Sequence, residues 1–401
     1  MKARIVNCSF LFNKKQMKTI ILIAGIALIS SSCGKIEDEY INRNTTYPVD
    51  WSAAADSSSM SFVSVYWNST KHHFNNDNLG AIGQYDYWPE AHGLDVMVDA
   101  YQRTKNDAYK QRISDFYEGV KAKNGGRFYN NYYDDMGWHG LAHLRAFEAT
   151  GDVRYEVSSK QLWEWIAAGW NEDDGGGIPW NHENTTEGKS KGVPSNGPAA
   201  IIAARRWQKY GEAEIINGHN NLYWLSHIYN WMKENRVVQQ SGRVYDNFAD
   251  KNGDWTYNAG TYIGAALEFY KITGNKVYLN DAMKTADWTT STLVNSTNKV
   301  LSDWAEQQDH DVNLFKGIFV RYLTQLILNK DLPETARKRY VNFLKHNAEI
   351  LWTAGTSKNP VILYGYHWWQ APEANASLRA ELSGCMLMES LAMLKNEGFL
   401  D

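Results

Sequence analysis

The sequence predicts an all-α protein, an (α/α)6 barrel of six helical hairpins, and three observations carry that prediction. One unit recurs along the chain: a small or Gly-containing start, about twelve residues with apolar positions at helical spacing, a short turn, and a second amphipathic stretch. Small residues crowd the first helix of these units (Gly137, Gly140, Ala142, Ala199, Ala200, Ala203, Gly260, Gly264, Ala265, Ala266), which lets those helices approach closely at a common centre. Strand-like alternation of any length is absent, and Pro is scarce at 8 in 401 residues, so long helices run uninterrupted. With 43% hydrophobic and 21% charged residues the chain can bury a large core. An open helical solenoid is the other architecture that such repeats can build.

The N-terminus reads as an address. A basic head (Lys14, Lys15, Lys18), an apolar stretch over 20–29 and the run Ser30-Ser31-Ser32-Cys33 form a secretory signal too short to span a membrane comfortably, with Met17 as its natural start. The segment resembles a bacterial lipoprotein signal. That resemblance implies that Cys33 becomes the acylated first residue and holds the protein on the outer membrane, at the cell surface or facing the periplasm. Ser30 departs from the pattern, which usually has Leu three residues before the Cys, and ordinary secretion with cleavage nearby is the alternative. Residues 1–32 are therefore assigned to the signal, 33–55 to a lipidated tether and 56–401 to the helical domain. Removing the signal takes away five basic and no acidic groups, which leaves 36 basic against 45 acidic residues and moves the formal charge from −4 to −9. A polyanionic partner such as nucleic acid is disfavoured. Cys8 is discarded with the signal, and Cys385 is a packing residue of the sixth inner helix; no two cysteines share ligand spacing.

Inner helices are expected to begin near His92, Gly137, Gly197, Ala259, Lys316 and Ser383. Two copies show the repeat plainly, since 137–152 and 259–275 both end in Thr-Gly-Asp/Asn, where Gly151 and Gly274 close the helix in a left-handed cap. Their partners, such as 161–170 and 222–235, are more mixed in composition and suit an outer ring.

Loops rich in aromatic, Asn, Gly and acidic residues precede the inner helices, over 75–90, 130–135, 171–184, 245–258, 303–315 and 364–370, and they account for many of the 54 aromatics. Flat sugar faces stack on aromatic rings while Asn, Asp and His bind hydroxyls, so these loops suit a glycan. The sharpest feature is Tyr132-Tyr133-Asp134-Asp135-Met136-Gly137-Trp138. Adjacent carboxylates in a partly desolvated setting titrate apart, and glycoside hydrolysis needs one protonated acid and one anion. The alternative is that Asp135 caps a helix starting at Met136 while Asp134 is solvated. Glu172-Asp173-Asp174 reads as a solvated loop. The run Asp250-Lys251-Asn252-Gly253-Asp254 lacks the terminal Glu of a calcium loop. His139 and His143, four apart on a helix, lack the Glu of a zinc-protease motif and read as packing or hydrogen-bonding residues. No metal and no cofactor are expected.

The string 134–138, with Gly176-Gly177-Ile178-Pro179-Trp180-Asn181, with Tyr257-Asn258-Ala259-Gly260 and with 315–323, resembles glycoside hydrolase family 76 over roughly residues 60–395. The resemblance implies an (α/α)6 endo-α-1,6-mannanase with a retaining mechanism. It implies Asp134 as nucleophile and Asp135 as acid/base, and Asp246 as a ligand of substrate hydroxyls. Trp138, Trp180, Asn181, Tyr257, Asn258 and Lys316 are the further candidates for substrate contacts. The family usually has Gln where this chain has Ala259, so the resemblance implies one polar contact fewer here. The expected partner is α-1,6-linked mannan or its oligosaccharides, bound by a monomer. Two other readings stay open: a non-catalytic mannan-binding lipoprotein, and a transglycosylase on the same scaffold.

Overall fold

The computed structural model describes residues 49–82, 86–183, 185, 189–246 and 253–400. The signal and its Met17, Cys8, the anchor Cys33, most of the tether, and Asp250, Lys251 and Asn252 lie outside the described residues.

Twelve α-helices make up the described fold: α1 (Trp51–Tyr66), α2 (Tyr87–Thr104), α3 (Asp107–Lys123), α4 (Tyr133–Thr150), α5 (Val153–Ala168), α6 (Val193–Tyr210), α7 (Asn221–Asn235), α8 (Thr256–Thr273), α9 (Lys276–Thr292), α10 (Val312–Leu328), α11 (Glu334–Thr353) and α12 (Leu378–Asn396). Even-numbered helices form the inner ring. Each packs against the next, and α12 packs against α2, so the ring closes and the open solenoid is excluded. Odd-numbered helices lie outside it. Five pairs are hairpins of consecutive helices, and the sixth is made by the two ends of the helical unit, with outer α1 packed on inner α12.

That sixth pair corrects one boundary. Residues 51–55, read as tether, are the first turn of α1, because Asp50 accepts hydrogen bonds from the backbone N–H of Ser52 and Ala53 and so caps the helix. Trp51, Ala54 and Ala55 are buried. Asp50 also pairs with Lys395 near the end of α12, at 3.0 Å.

Small residues at the centre act as the sequence suggests. A Cβ on Gly260 of α8 would stand 2.7 Å from the Cα of Phe319 on α10, so these backbones meet where only hydrogen fits. The turns away from the cleft also repeat. Gly151 and Gly274 adopt left-handed conformations (φ 76° and 67°) after α4 and α8, as predicted. Lys105 does the same after α2. In each turn the preceding Thr hydroxyl accepts from the N–H two residues on, at 3.2 Å, and the following Asn or Asp caps the next helix.

The lower half of the barrel is locked by buried ion pairs: Arg145 with Asp95 and Asp99, Arg321 with Asp99 (2.7 Å), and Arg103 with Glu389 (2.7 Å). His139 and His143 are buried and bonded to the Tyr87 carbonyl (2.9 Å) and the Ser158 hydroxyl (2.8 Å), so they are packing residues. Burial pulls the His139 pKa down to about 3, which keeps the ring neutral. Among the described residues, four two-residue antiparallel strand pairs decorate the loops. No helix among the described residues is long and apolar enough to cross a membrane.

Each inner helix begins about one turn before its expected start, at 87, 133, 193, 256, 312 and 378. Some of the aromatic and acidic residues assigned to loops, among them Tyr87, Trp88, Asp134, Asp135 and Tyr257, therefore stand in first helical turns.

Candidate active site

The N-terminal ends of all six inner helices converge on one cleft of about 430 Å³. The second residue of five of them faces it: Trp88 of α2, Asp134 of α4, Pro194 of α6, Tyr257 of α8 and Arg379 of α12; from α10 come Asp311, just ahead of the helix, and Phe315.

The first turn of α4 is fixed by the loop joining α5 to α6. Tyr133 N–H donates to the Trp180 carbonyl at 2.9 Å, and Tyr132 bridges Asn181. That loop is strapped by Lys191, whose ammonium donates to the Asn171 side chain and to the Asn171, Asp173 and Gly176 carbonyls. Gly177, with φ 98°, lets the chain pass Trp231, where a Cβ would lie 2.7 Å from the indole. So held, Trp180 donates its indole N–H to Asp134 Oδ2 at 3.2 Å. The other oxygen, Oδ1, is buried and has no hydrogen-bond partner.

Tyr132, not Asp135, precedes the helix at the capping position and makes no side-chain cap bond, so the capping alternative for Asp135 does not hold. Both aspartates stand inside the first turn. The helix N-terminus favours their ions, but burial outweighs it. Burial, with the charge of Asp246, pushes the Asp134 pKa up to about 7. Burial and the charges of Asp134 and Asp311 push Asp135 well above the carboxylate range. Burial thus raises both members of the coupled pair, so that one carboxyl holds its proton when the other has lost its own.

Asp246 lines the same cleft and is held by the Asn258 amide (2.8 Å) and the Tyr257 hydroxyl (3.4 Å). Trp138 closes the cleft, 5.0 Å from His92 between ring centres. On the facing wall Asp311 accepts from the Trp88 indole (3.3 Å) and the Arg379 guanidinium (2.8 Å), and Arg379 also pairs with Asp86.

The cleft therefore brings together Asp134, Asp135, Trp138, Trp180, Asp246 and Tyr257 of the residues singled out from the sequence. Three others stand behind it. Asn181 is buried and its side-chain oxygen accepts from the Glu183 N–H at 2.8 Å, so it turns the loop. Asn258 is buried and spends its amide on Asp246. Lys316 is fully buried, paired with Glu306 (2.5 Å) and bonded to the Tyr366 carbonyl (2.7 Å). The expectation that it contacts substrate is corrected, because its charge is already neutralised within the protein. Ala259 is buried in the core. Of the other acidic run, Glu172 accepts from the Trp170 indole at 2.8 Å, and neither it nor Asp173 lines the cleft. Arg379, Asp311 and Asp86 were missed, and Trp88 was read only as part of the glycan-suited loop 75–90; the signal that finds Trp88 and Arg379 is their register, the second residue of an inner helix, which they share with Asp134. Among the described residues no group of three or more His, Cys, Asp or Glu is placed to hold a metal ion.

Comparison with known proteins agrees with this geometry. The structure superposes on the α-1,6-mannanase GH76A of Salegentibacter sp. HEL1_6 with a TM-score of 0.79 at 37% identity, covering 86% of this chain and 100% of that one. An inactive variant of that enzyme with two consecutive aspartates replaced, in complex with α-1,6-mannotetrose, matches with a TM-score of 0.78 at 37% identity over 86% of this chain and 100% of that one. The Lin0763 protein from Listeria innocua matches at 31% identity with a TM-score of 0.76, over 87% of this chain and 99% of that one. No curated protein matches the chain. The model of glycosyl hydrolase family 76 matches residues 50–401. Sequence, barrel and cleft converge: the chain belongs to glycosyl hydrolase family 76 and is a glycoside hydrolase.

Proposed function

We propose that the protein is a retaining endo-α-1,6-mannanase that works through a covalent mannosyl intermediate on Asp134. The observation that carries the reading is the pair of consecutive carboxylates in an aromatic cleft, one ionising near neutrality and the other held protonated. Retention calls for carboxyl groups that share one sugar, one as nucleophile and one as proton donor. Asp134 supplies the nucleophile: the Trp180 indole holds Oδ2, and Oδ1 is left to bond the anomeric carbon. As that bond forms, the bond from the anomeric carbon to the glycosidic oxygen breaks, and the oxygen leaves as a hydroxyl carrying the proton of Asp135. Asp135, now an anion, takes a proton from water, and the resulting hydroxide attacks the same carbon and frees Asp134 with net retention. Asp246, buttressed by Asn258 and Tyr257, is placed to accept from substrate hydroxyls. Two matches support the substrate: an α-1,6-mannanase at 37% identity, and its double-aspartate variant bound to α-1,6-mannotetrose. Of the two consecutive-aspartate pairs in this sequence, 134–135 is the one that lines the cleft.

Incubation of residues 49–401 with linear α-1,6-mannan, followed by chromatography of the products, tests the reading. A ladder of short oligosaccharides formed early in the reaction is the expected result. Mannose as the sole early product would replace endo action by exo action, products longer than the substrate would indicate transglycosylation, and an intact but bound polymer would leave a binding lipoprotein. We further infer attachment to the outer membrane through acylated Cys33, on the strength of the signal-like segment before it. Incorporation of labelled palmitate by the full chain, lost in Cys33→Ser, is the expected outcome.

A further inference from the structure

An unbroken series of aromatic rings leads out of the cleft. Trp138 lies 6.4 Å from Tyr257 between ring centres, and Tyr257 stacks on Phe315 at 3.8 Å with 11° between planes. Phe315 meets Trp255 edge-on at 5.8 Å, and Trp255 stacks with Trp304 at 4.7 Å and 23°. Trp138, Tyr257 and Phe315 line the cleft; Trp255 and Trp304 lie beyond it. Trp304 ends the series with 71% of its surface exposed.

An exposed indole is ordinary when it is alone and free to move. This one is held by the residues on either side of it. Asp303, the preceding residue, is buried and accepts from the N–H (2.8 Å) and the hydroxyl (2.6 Å) of Thr256, which lies between Trp255 and Tyr257 in the chain. Glu306, two residues after Trp304, accepts from the Asp303 N–H (3.0 Å), from buried Lys316 (2.5 Å) and from His367 (2.8 Å). Lys316 in turn follows Phe315. The same buried residues thus hold the backbone beside both indoles, while the Trp304 ring itself rests on Trp255. An aromatic face immobilised before a ligand arrives loses little freedom on binding it.

We propose that Trp304, backed by Trp255, is a distal stacking platform for a mannosyl unit of a polymer whose reacting unit lies in the cleft. The apolar C–H face of a hexopyranose covers the exposed indole, and the platform favours long chains over short ones. This proposal rests on the mannanase reading above.

Kinetics on linear α-1,6-mannan and on α-1,6-mannotetraose, for the wild type, Trp304→Ala and Trp304→Phe, test it. In Trp304→Ala the ratio of kcat/KM for polymer to kcat/KM for tetrasaccharide should fall about tenfold, through KM, which corresponds to the loss of one good contact. Trp304→Phe, which keeps a ring, should recover most of it. Polymer cut with an unchanged ratio, or an equal fall on both substrates, would overturn the platform while leaving the mannanase reading intact. Polymer left whole by the wild type would sink that reading and the platform with it. A second readout separates binding from turnover. In an Asp134→Asn background, affinity electrophoresis in mannan-containing gels should show weaker retention when Trp304→Ala is added, and equal retention would also overturn the proposal.

Discussion

In the proposed mechanism two adjacent aspartates of identical chemistry take different tasks, and their surroundings differ accordingly. Asp134 has an indole donor and titrates near neutrality, whereas Asp135 faces the charges of Asp134 and Asp311. Replacement of either by Asn should lower kcat on mannan by about three orders of magnitude or more. The two losses should differ on an aryl oligomannoside whose phenol leaves without a proton: Asp135→Asn recovers the glycosylation step and Asp134→Asn does not, which burst kinetics would show. The pair also sets the pH profile. Asp134 must be ionised, so kcat/KM should fall as pH drops through about 7. Asp135 must be protonated, so activity is lost at high pH, and both limbs belong to the coupled pair. Stability follows the opposite sense. A carboxyl raised from 3.8 to about 7 in the folded state contributes stability that is complete below the lower value and lost as pH rises through the higher one. Asp134→Asn escapes that loss. Its Tm should exceed that of the wild type by a few degrees at pH 8, with the gain shrinking toward pH 4, in calorimetric scans at both pH values; a lower Tm at pH 8 would contradict the assigned direction.

At the scale of elements, the sequence carried the helices and much of the chemistry but placed each inner helix one turn late. Apolar periodicity marks the stretch where a helix packs on neighbours all round, and it fades in the first turn, where one side faces the cleft and carries Trp88, Asp134 or Arg379 instead. Propensity gave no help there, because aromatic and acidic residues read as loop until tertiary packing decides otherwise. The Thr-Gly-Asp/Asn turns were legible since their geometry is local: a left-handed residue followed by a capping side chain. Lys316 was misread because a lysine next to an aromatic signals a ligand contact and a buried ion pair equally well, and only long-range structure supplies Glu306 ten residues upstream. Its actual role predicts a distinct phenotype. Lys316→Met leaves Glu306 and Asp303 buried with one cation fewer, and should cost about 3 kcal/mol in urea unfolding, within the range for breaking a buried pair. A loss below 1 kcal/mol would show that the network contributes little.

At the scale of the whole molecule, closure depends on the two most distant parts of the described chain. Ring positions are filled in order from α2 to α12, yet the outer partner of α12 is α1. A contact of such large sequence separation costs loop-closure entropy, which the packing of α1 on α12 must offset. Deleting residues 49–66 exposes the side of α12 that α1 covers, and removes Ser59, whose hydroxyl donates to Glu389 at 2.6 Å. The truncated chain should lose cooperative unfolding by circular dichroism; a sharp transition near that of the full chain would show that α1 is dispensable. The same arrangement determines where the barrel is held. Asp50 sits beside Lys395, at the end of α12 remote from Arg379 and the cleft, and the stretch of helix from Arg379 to Lys395 spans about 24 Å. Val49 and Asp50 therefore lie at the end of the barrel away from the cleft. A support or label coupled at Asp50 would accordingly hold the barrel by the end away from its mouth, with the point of attachment and the entrance for substrate a full helix apart.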